Sequence, residues 1–163
     1  MDAKPCRDTS LVTAIVMLPQ DANAMGNVHG GVIMKHIDNA AGMVGFRHAG
    51  RAVVTASIDR LDFHHPVHVG EILILRASIN FVGNTSMEIG VRVEAERPAT
   101  GEVRHTASAY LTFVALDETG RPTRLPGLII ETEDEKRRHE EARRRREMRL
   151  AERSREKQAQ SRH

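Results

Sequence analysis

A chain of 163 residues with 40% hydrophobic content has room for one ordinary domain and an appendage. Four Phe, one Tyr and no Trp leave too few aromatic platforms for a base-stacking nucleic-acid module, and a single cysteine, Cys6, excludes an internal disulfide and a cysteine-rich zinc site while fitting a reducing compartment. The net charge of +2 is local: residues 131–163 hold 12 of the 24 Lys and Arg and 9 of the 22 Asp and Glu, so the tail stands at +3 and the remainder at −1.

Leu11 to Leu18 is a short apolar run behind Lys4 and Arg7. Its length, the polar Thr13 and the Pro19-Gln20-Asp21 that follows, with no small-residue cleavage site, predict a strand rather than a signal peptide. No stretch is long enough to cross a bilayer, so the expectation is a soluble, cytoplasmic protein.

The loop that follows, Asp21-Ala22-Asn23-Ala24-Met25-Gly26-Asn27-Val28-His29-Gly30-Gly31, leads straight into an apolar helix predicted over residues 31–47. Gly30 and Gly31 put bare amides at the helix start, where backbone N–H groups have no intrahelical partner and can hold an oxygen gaining negative charge. One carboxylate, Asp38, lies roughly two turns into the helix. An asparagine, a donor-rich helix start and a carboxylate in one short segment point to acyl-transfer or hydrolytic chemistry.

Within the helix, Val32, His36, Ala40 and Val44 form one i, i+4 row and Ile33, Ile37, Ala41 and Gly45 its neighbour. The apolar surface exceeds one stripe, predicting burial on several sides, and the small Ala40, Ala41, Gly42 and Gly45 would let a sheet wrap closely. After Gly50 the pattern turns to strands. Val53–Ile58 is rich in β-branched residues, Asp62–Val67 is a turn-like link bent at Pro66, and Ile72–Val82 is a long strand ended by Gly83-Asn84. Met87–Glu96 alternates with Ile89, Val91, Val93 and Ala95 on one face, and Val103–Leu116 is the last strand. One helix followed by antiparallel strands is an α+β pattern.

From Glu131 the chain is Glu/Arg-rich, with Glu133/Arg137, Asp134/Arg138, Glu140/Arg144 and Glu141/Arg145 at helical salt-bridge spacing. With only Met148 and Leu150 as sizeable apolar residues it has no face to bury, and it is expected to be a solvated helix fraying towards His163. Arg143–Arg146 is read as a solvated charge run rather than a nucleic-acid or membrane contact. The division is a domain over 8–130 and a charged helical tail over 131–163.

The segment Asn23-x-x-Gly26-x-x-x-Gly30-Gly31, then Asp38, then Asp62-Phe63-x-x-Pro66-Val67-x-x-Gly70 resembles the hotdog-fold acyl-CoA thioesterases, in the YciA and brain acyl-CoA hydrolase branch. Val82-Gly83-Asn84-Thr85-Ser86-Met87, Phe113-Val114-Ala115-Leu116-Asp117 and Gly120-Arg121-Pro122 extend the match over residues 11–130. The resemblance implies a long central helix wrapped by an antiparallel sheet. It implies a homodimer with shared active sites, commonly a trimer of dimers and so a hexamer. The expected reaction is hydrolysis of an acyl-CoA to a free acid and CoA within fatty acid metabolism. No cofactor or metal is expected, CoA being part of substrate and product, and no nucleic-acid or membrane partner.

By position, Asn23 and Asp38 match the family's asparagine and acidic residue, which meet across the dimer interface. The Gly31 amide, with Gly30, would hold the oxyanion. Asp38 would activate water or attack the carbonyl, and Asn23 would orient water or carbonyl. Thr85 and Ser86 match the turn beside the CoA moiety, with Gly83 and Asn84 in the same turn. His29, Phe63 and His64 complete the substrate-binding set. His29 stands where an aromatic such as Phe is frequent, and Asn84 where Arg is frequent. Three plainer readings accompany these: Asp38 as a surface residue paired with Lys35, Asn23 as an Asx-turn residue, and His29 as a helix cap. His64, His65 and His68 lack the carboxylate or cysteine spacing of a zinc site and are read as structural or channel-lining. The competing functions are a hotdog hydratase or dehydratase, for which a His paired with the acid is missing, and a non-catalytic acyl-CoA-binding module.

Overall fold

In the computed structural model, which describes residues 1–162, a five-stranded antiparallel sheet curls around one long helix. The chain runs β1 (Lys4–Pro5), β2 (Leu11–Val16), α1 (Gly30–Ala49), β3 (Val53–Phe63), β4 (Ile72–Val82), β5 (Ser86–Arg97), β6 (Glu102–Ala115), β7 (Leu128–Ile129) and α2 (Glu133–Gln160). Spatial order in the sheet is β2-β4-β5-β6-β3, which leaves β3 on one edge and β2 on the other. This is the α+β class expected from the residues, in the helix-wrapped-by-a-sheet arrangement that the resemblance implies.

Alternation builds the core. Leu73, Leu75, Ala77 and Ile79 of β4, Met87, Ile89, Val91, Val93 and Ala95 of β5, and Ala107, Ala109, Leu111 and Phe113 of β6 are all buried, as are Ile33, Ile37, Ala40, Ala41 and Val44 of α1. The small helical residues serve as predicted: a Cβ on Gly45 would meet Met87 Cε at 2.9 Å, and one on Gly42 would meet Phe113 at 3.6 Å. Larger side chains there would hold helix and sheet apart. The helix stops at Gly50, whose φ of 65° lets its amide return to the Phe46 carbonyl.

Four features differ from expectation. The strand after α1 continues through Asp62 and Phe63, because Phe63 and Asp62 pair with Ala107 and Ser108 of β6. The link therefore shortens to residues 64–71. Lys4–Pro5 and Leu128–Ile129 form a two-residue parallel pair, too short to leave a periodic signal. The helix α1 is buried on its sheet side only; Met34, Met43 and Phe46 are exposed, as are Val54, Ile58 and Phe63 of the edge strand β3.

The fourth is the tail, which is docked rather than free. A capping box of Thr132 and Glu135 starts α2. The helix then crosses the sheet face opposite α1, burying Ala142 completely. Its arginines reach far along the chain: Arg145 pairs with Glu88 at 2.7 Å and covers the Tyr110 ring, Arg149 pairs with Asp59 at 3.0 Å, and Arg138 bonds Ser78 Oγ at 3.2 Å. Of the expected helical pairs, Asp134–Arg138 forms, while Arg137 takes Asp134 and Glu141 instead of Glu133, and Arg145 takes Glu88 instead of Glu141. The helix is regular to Gln160, and its expected fraying at His163 lies outside the described residues. A cavity of about 730 Å³ separates α2 from the sheet, on the far side of the sheet from α1.

Candidate active site

The loop before α1 is tied down at both ends by backbone chemistry. The Asp21 carboxylate accepts from the Leu18 amide, and the Asp21 carbonyl accepts from the His29 amide. Asn23 Oδ1 accepts from the amides of Met25 (2.9 Å) and Asn27 (3.2 Å), so the Asx-turn is present. That turn engages only the carboxamide oxygen. The Asn23 NH2 group donates to nothing among the described residues, and Asn23 lines a cleft of about 340 Å³.

The cleft is walled by Gly30 and Ile33 of α1 and by Phe63, His64 and His65 from the end of β3. Phe63 lies 3.6 Å from where a Gly30 Cβ would be, so a side chain at 30 would begin to fill the space. His64 is held edge-on to His105, ring centroids 4.9 Å apart. Burial, with Arg92 near, pushes the pKa of the His105 imidazole that backs His64 below its usual value.

The floor is fixed by an ion pair. Glu71, almost fully buried, takes both Arg104 nitrogens at 2.8 and 3.0 Å and the His68 amide at 2.8 Å. Burial alone would raise this carboxyl; the Arg104 and His68 hydrogen bonds outweigh it and hold Glu71 below its ordinary value. Arg104 also reaches the Pro66 carbonyl, while Asn27 bridges to His68 and Val28 donates to Val67. The asparagine loop and the 64–71 link are thus tied to each other.

At the helix start, His29 is the N-cap: its Nδ1 accepts from the Gly31 amide at 2.9 Å. The Gly31 amide, expected to be the principal open donor, is therefore occupied here. The Gly30 amide is the one that donates to nothing among the described residues. The His29 ring that caps Gly31 is exposed.

Asp38 sits apart from this cleft. It is half-buried, and its Oδ1 accepts from Thr55 Oγ1 at 2.6 Å, a short charge-assisted bond across to β3. Lys35 is not its partner. Thr55 is the residue that sequence reasoning passed over: one threonine among the β-branched residues of a strand carries no mark of its contact. Within one chain, then, Asn23, Gly30, Phe63 and His64 come together, Asp38 joins Thr55, and the Gly83–Ser86 turn lies elsewhere. That turn is at the Val53 end of β3, since Ser86 and Val54 both register with Val114.

These elements match a known family. A family model for the thioesterase superfamily fits residues 25–102. An acyl-CoA thioesterase crystallised as an apo hexamer superposes with a TM-score of 0.90 at 38% identity, over 93% of this chain and 97% of that one. The chain belongs to the thioesterase superfamily. The protein VdlD of Helicobacter pylori is 41% identical over 86% of this chain and 80% of its own. The acyl-CoA hydrolase of Staphylococcus aureus, solved with butyryl-CoA, CoA and CoA disulfide, superposes with a TM-score of 0.89 at 36% identity over 96% of both chains. It has also been solved as alanine variants of one aspartate, one asparagine and one threonine. No helix among the described residues is long and apolar enough to cross a membrane.

Proposed function

We propose that this protein hydrolyses acyl-CoA thioesters to a carboxylic acid and CoA, using active sites shared between two copies of the chain. The observation that carries this reading is a spacing. In the Staphylococcus aureus hydrolase the asparagine and aspartate replaced by alanine are 15 residues apart and the threonine lies 17 further on. Asn23, Asp38 and Thr55 stand at the same intervals. Here the last two are hydrogen-bonded, and the first lines the cleft at the helix start.

The chemistry follows from what each group has left to offer. The thioester carbonyl enters the cleft, and its oxygen takes the Gly30 amide, joined by Gly31 when His29 turns away. These donors stabilise the charge that develops as the carbonyl is attacked. Asn23, its oxygen held in the turn, presents NH2 donors to the carbonyl or to water. Asp38, oriented by Thr55, either takes a proton from water as it adds or adds itself to give a mixed anhydride that water opens. In both routes a C–O bond replaces the C–S bond, and the CoA thiolate leaves.

Two observations support the shared site. β3 is an unpaired edge strand, and a copy pairing antiparallel to it about a two-fold axis would extend the sheet. Such pairing would also cover Val54 and Ile58 of β3 and Met43 and Phe46 of α1. It sets the Val53 end of one copy, with its Asp38–Thr55 pair, towards the Phe63 end and cleft of the other. Three such dimers would make a hexamer like that of the structurally similar thioesterase.

A thiol-release assay across acyl chain lengths tests the reaction. Release of CoA thiol supports hydrolysis; a hydratase or a binding module releases none. In a single turnover in isotopically labelled water, label found in the Asp38 carboxylate establishes the anhydride route, because water acting on the thioester itself leaves the Asp38 oxygens untouched.

A further inference from the structure

Helix α2 lays one cation on the Gly83–Ser86 turn. Arg146 Nη1 is 3.3 Å from Ser86 Oγ, and its guanidinium stands 5.6 Å from the Phe81 ring centroid. A Cβ on Gly83 would meet the same Nη1 at 3.1 Å, so glycine makes room for it. The arginines that dock α2 are answered by carboxylates, Arg145 by Glu88 and Arg149 by Asp59. Arg146 is half-buried and has no carboxylate within ion-pair distance among the described residues. A guanidinium carries five N–H donors, and a single hydroxyl leaves most of them unanswered. A held, unpaired guanidinium beside a turn with a serine and a threonine hydroxyl is suited to a phosphate.

Its place in the fold selects which phosphate. The turn lies at the Val53 end of β3, the cleft at the Phe63 end. Antiparallel pairing of two β3 edges brings the turn of one copy towards the cleft of the other. Arg146 then stands outside the partner's cleft, on the sheet face away from α1. CoA has the matching shape: its phosphates are separated from the thioester sulfur by the long pantetheine arm.

We propose that Arg146 binds the phosphates of the CoA moiety whose thioester occupies the partner subunit's cleft, which makes the C-terminal helix part of the substrate site. This rests on the acyl-CoA reading above. The test compares an acyl-CoA with the same acyl group on pantetheine, which lacks the nucleotide phosphates, using wild-type protein and Arg146→Ala. The expected result is a KM for acyl-CoA raised about tenfold with kcat little changed, and no change with acyl-pantetheine, because one charge-assisted contact is lost only where phosphate is present. Arg146→Gln, which retains an N–H donor for Ser86 and the helix packing, should lose the same preference. Arg145→Ala, which undoes the Glu88 pair, should lower the melting temperature and affect both substrates alike. An Arg146→Ala protein that treats the two substrates as wild type does, or loses both equally, overturns the proposal. Wild-type protein that releases no thiol from acyl-CoA overturns the hydrolase reading itself, a separate outcome.

Discussion

Thr55→Val isolates what a single hydroxyl contributes to the proposed reaction. Valine keeps the β-branched shape that suits a strand, and Thr55 is exposed on the edge strand, so the fold loses little. What disappears is the 2.6 Å bond to Asp38 Oδ1. A hydrogen bond to a charged group contributes about 1.5–3 kcal/mol. If all of it serves to hold Asp38 in its reactive direction, kcat/KM for an acyl-CoA should fall by about 10- to 160-fold. Thr55→Ser keeps the donor and should keep most of the activity. The assay is initial-rate thiol release with a chromogenic thiol reagent, beside a thermal melt that should shift by no more than about 2 °C. Wild-type kcat/KM in Thr55→Val would refute the positioning role. A loss equal in Thr55→Ser and Thr55→Val would also refute it, because the hydroxyl would then not be the cause.

Asp38→Ala should lower turnover by about a thousandfold or more while the protein still folds, since in the proposed mechanism it removes the acid–base or nucleophilic group itself; full turnover would remove Asp38 from the mechanism. Mixing Asp38→Ala with Asn23→Ala under conditions that exchange subunits should restore part of the activity, and no recovery in verified mixed dimers would count against shared sites. Acid should unfold the protein in two stages. His48 is fully buried, its Nε2 donates to the Pro126 carbonyl at 2.8 Å and its Nδ1 has no partner, so burial above all, with Lys4 nearby, depresses its pKa below the usual 6.5. The unfolded chain therefore takes up that proton first, and stability should decline as pH falls below about 6.5. Glu71, held below its ordinary 4.5, adds stability that is present above that value and lost as pH falls through its depressed folded value; His48→Gln should shrink the upper stage of a denaturation-versus-pH curve to the share that His105 contributes and leave the lower stage unchanged. Gly90→Ala should destabilise by about 1–3 kcal/mol in urea titrations, because its Cβ would lie 2.7 Å from Asn80 Nδ2 and force that buried amide off Glu88.

The elements built on local signals were legible in the residues. The long run closed by Gly83-Asn84 predicted β4 at its observed bounds, Ile72–Val82, and alternation predicted the inward row of β5. The i, i+4 rows and small residues of α1 foretold a helix embraced by a sheet. Asn, Gly-Gly and Asp in one segment pointed to the chemistry, because turn geometry, bare amides and helical spacing are properties of neighbouring residues.

Long-range partners were not legible. Glu141 is four residues from Arg145 and satisfied the helical rule, yet Arg145 chose Glu88, 57 residues away, where burial weakens competition from water. The same holds for Arg149 with Asp59 and for the docking of a tail that looked fully solvated. Thr55 acquired meaning only when β3 brought it to Asp38, and the Gly31 amide proved to be capped once the His29 ring had a direction. Sequence spacing fixes what a residue can reach along its own helix or strand. Which of several equally suitable partners it takes depends on how faces meet in three dimensions, and that was decided by the tertiary structure alone.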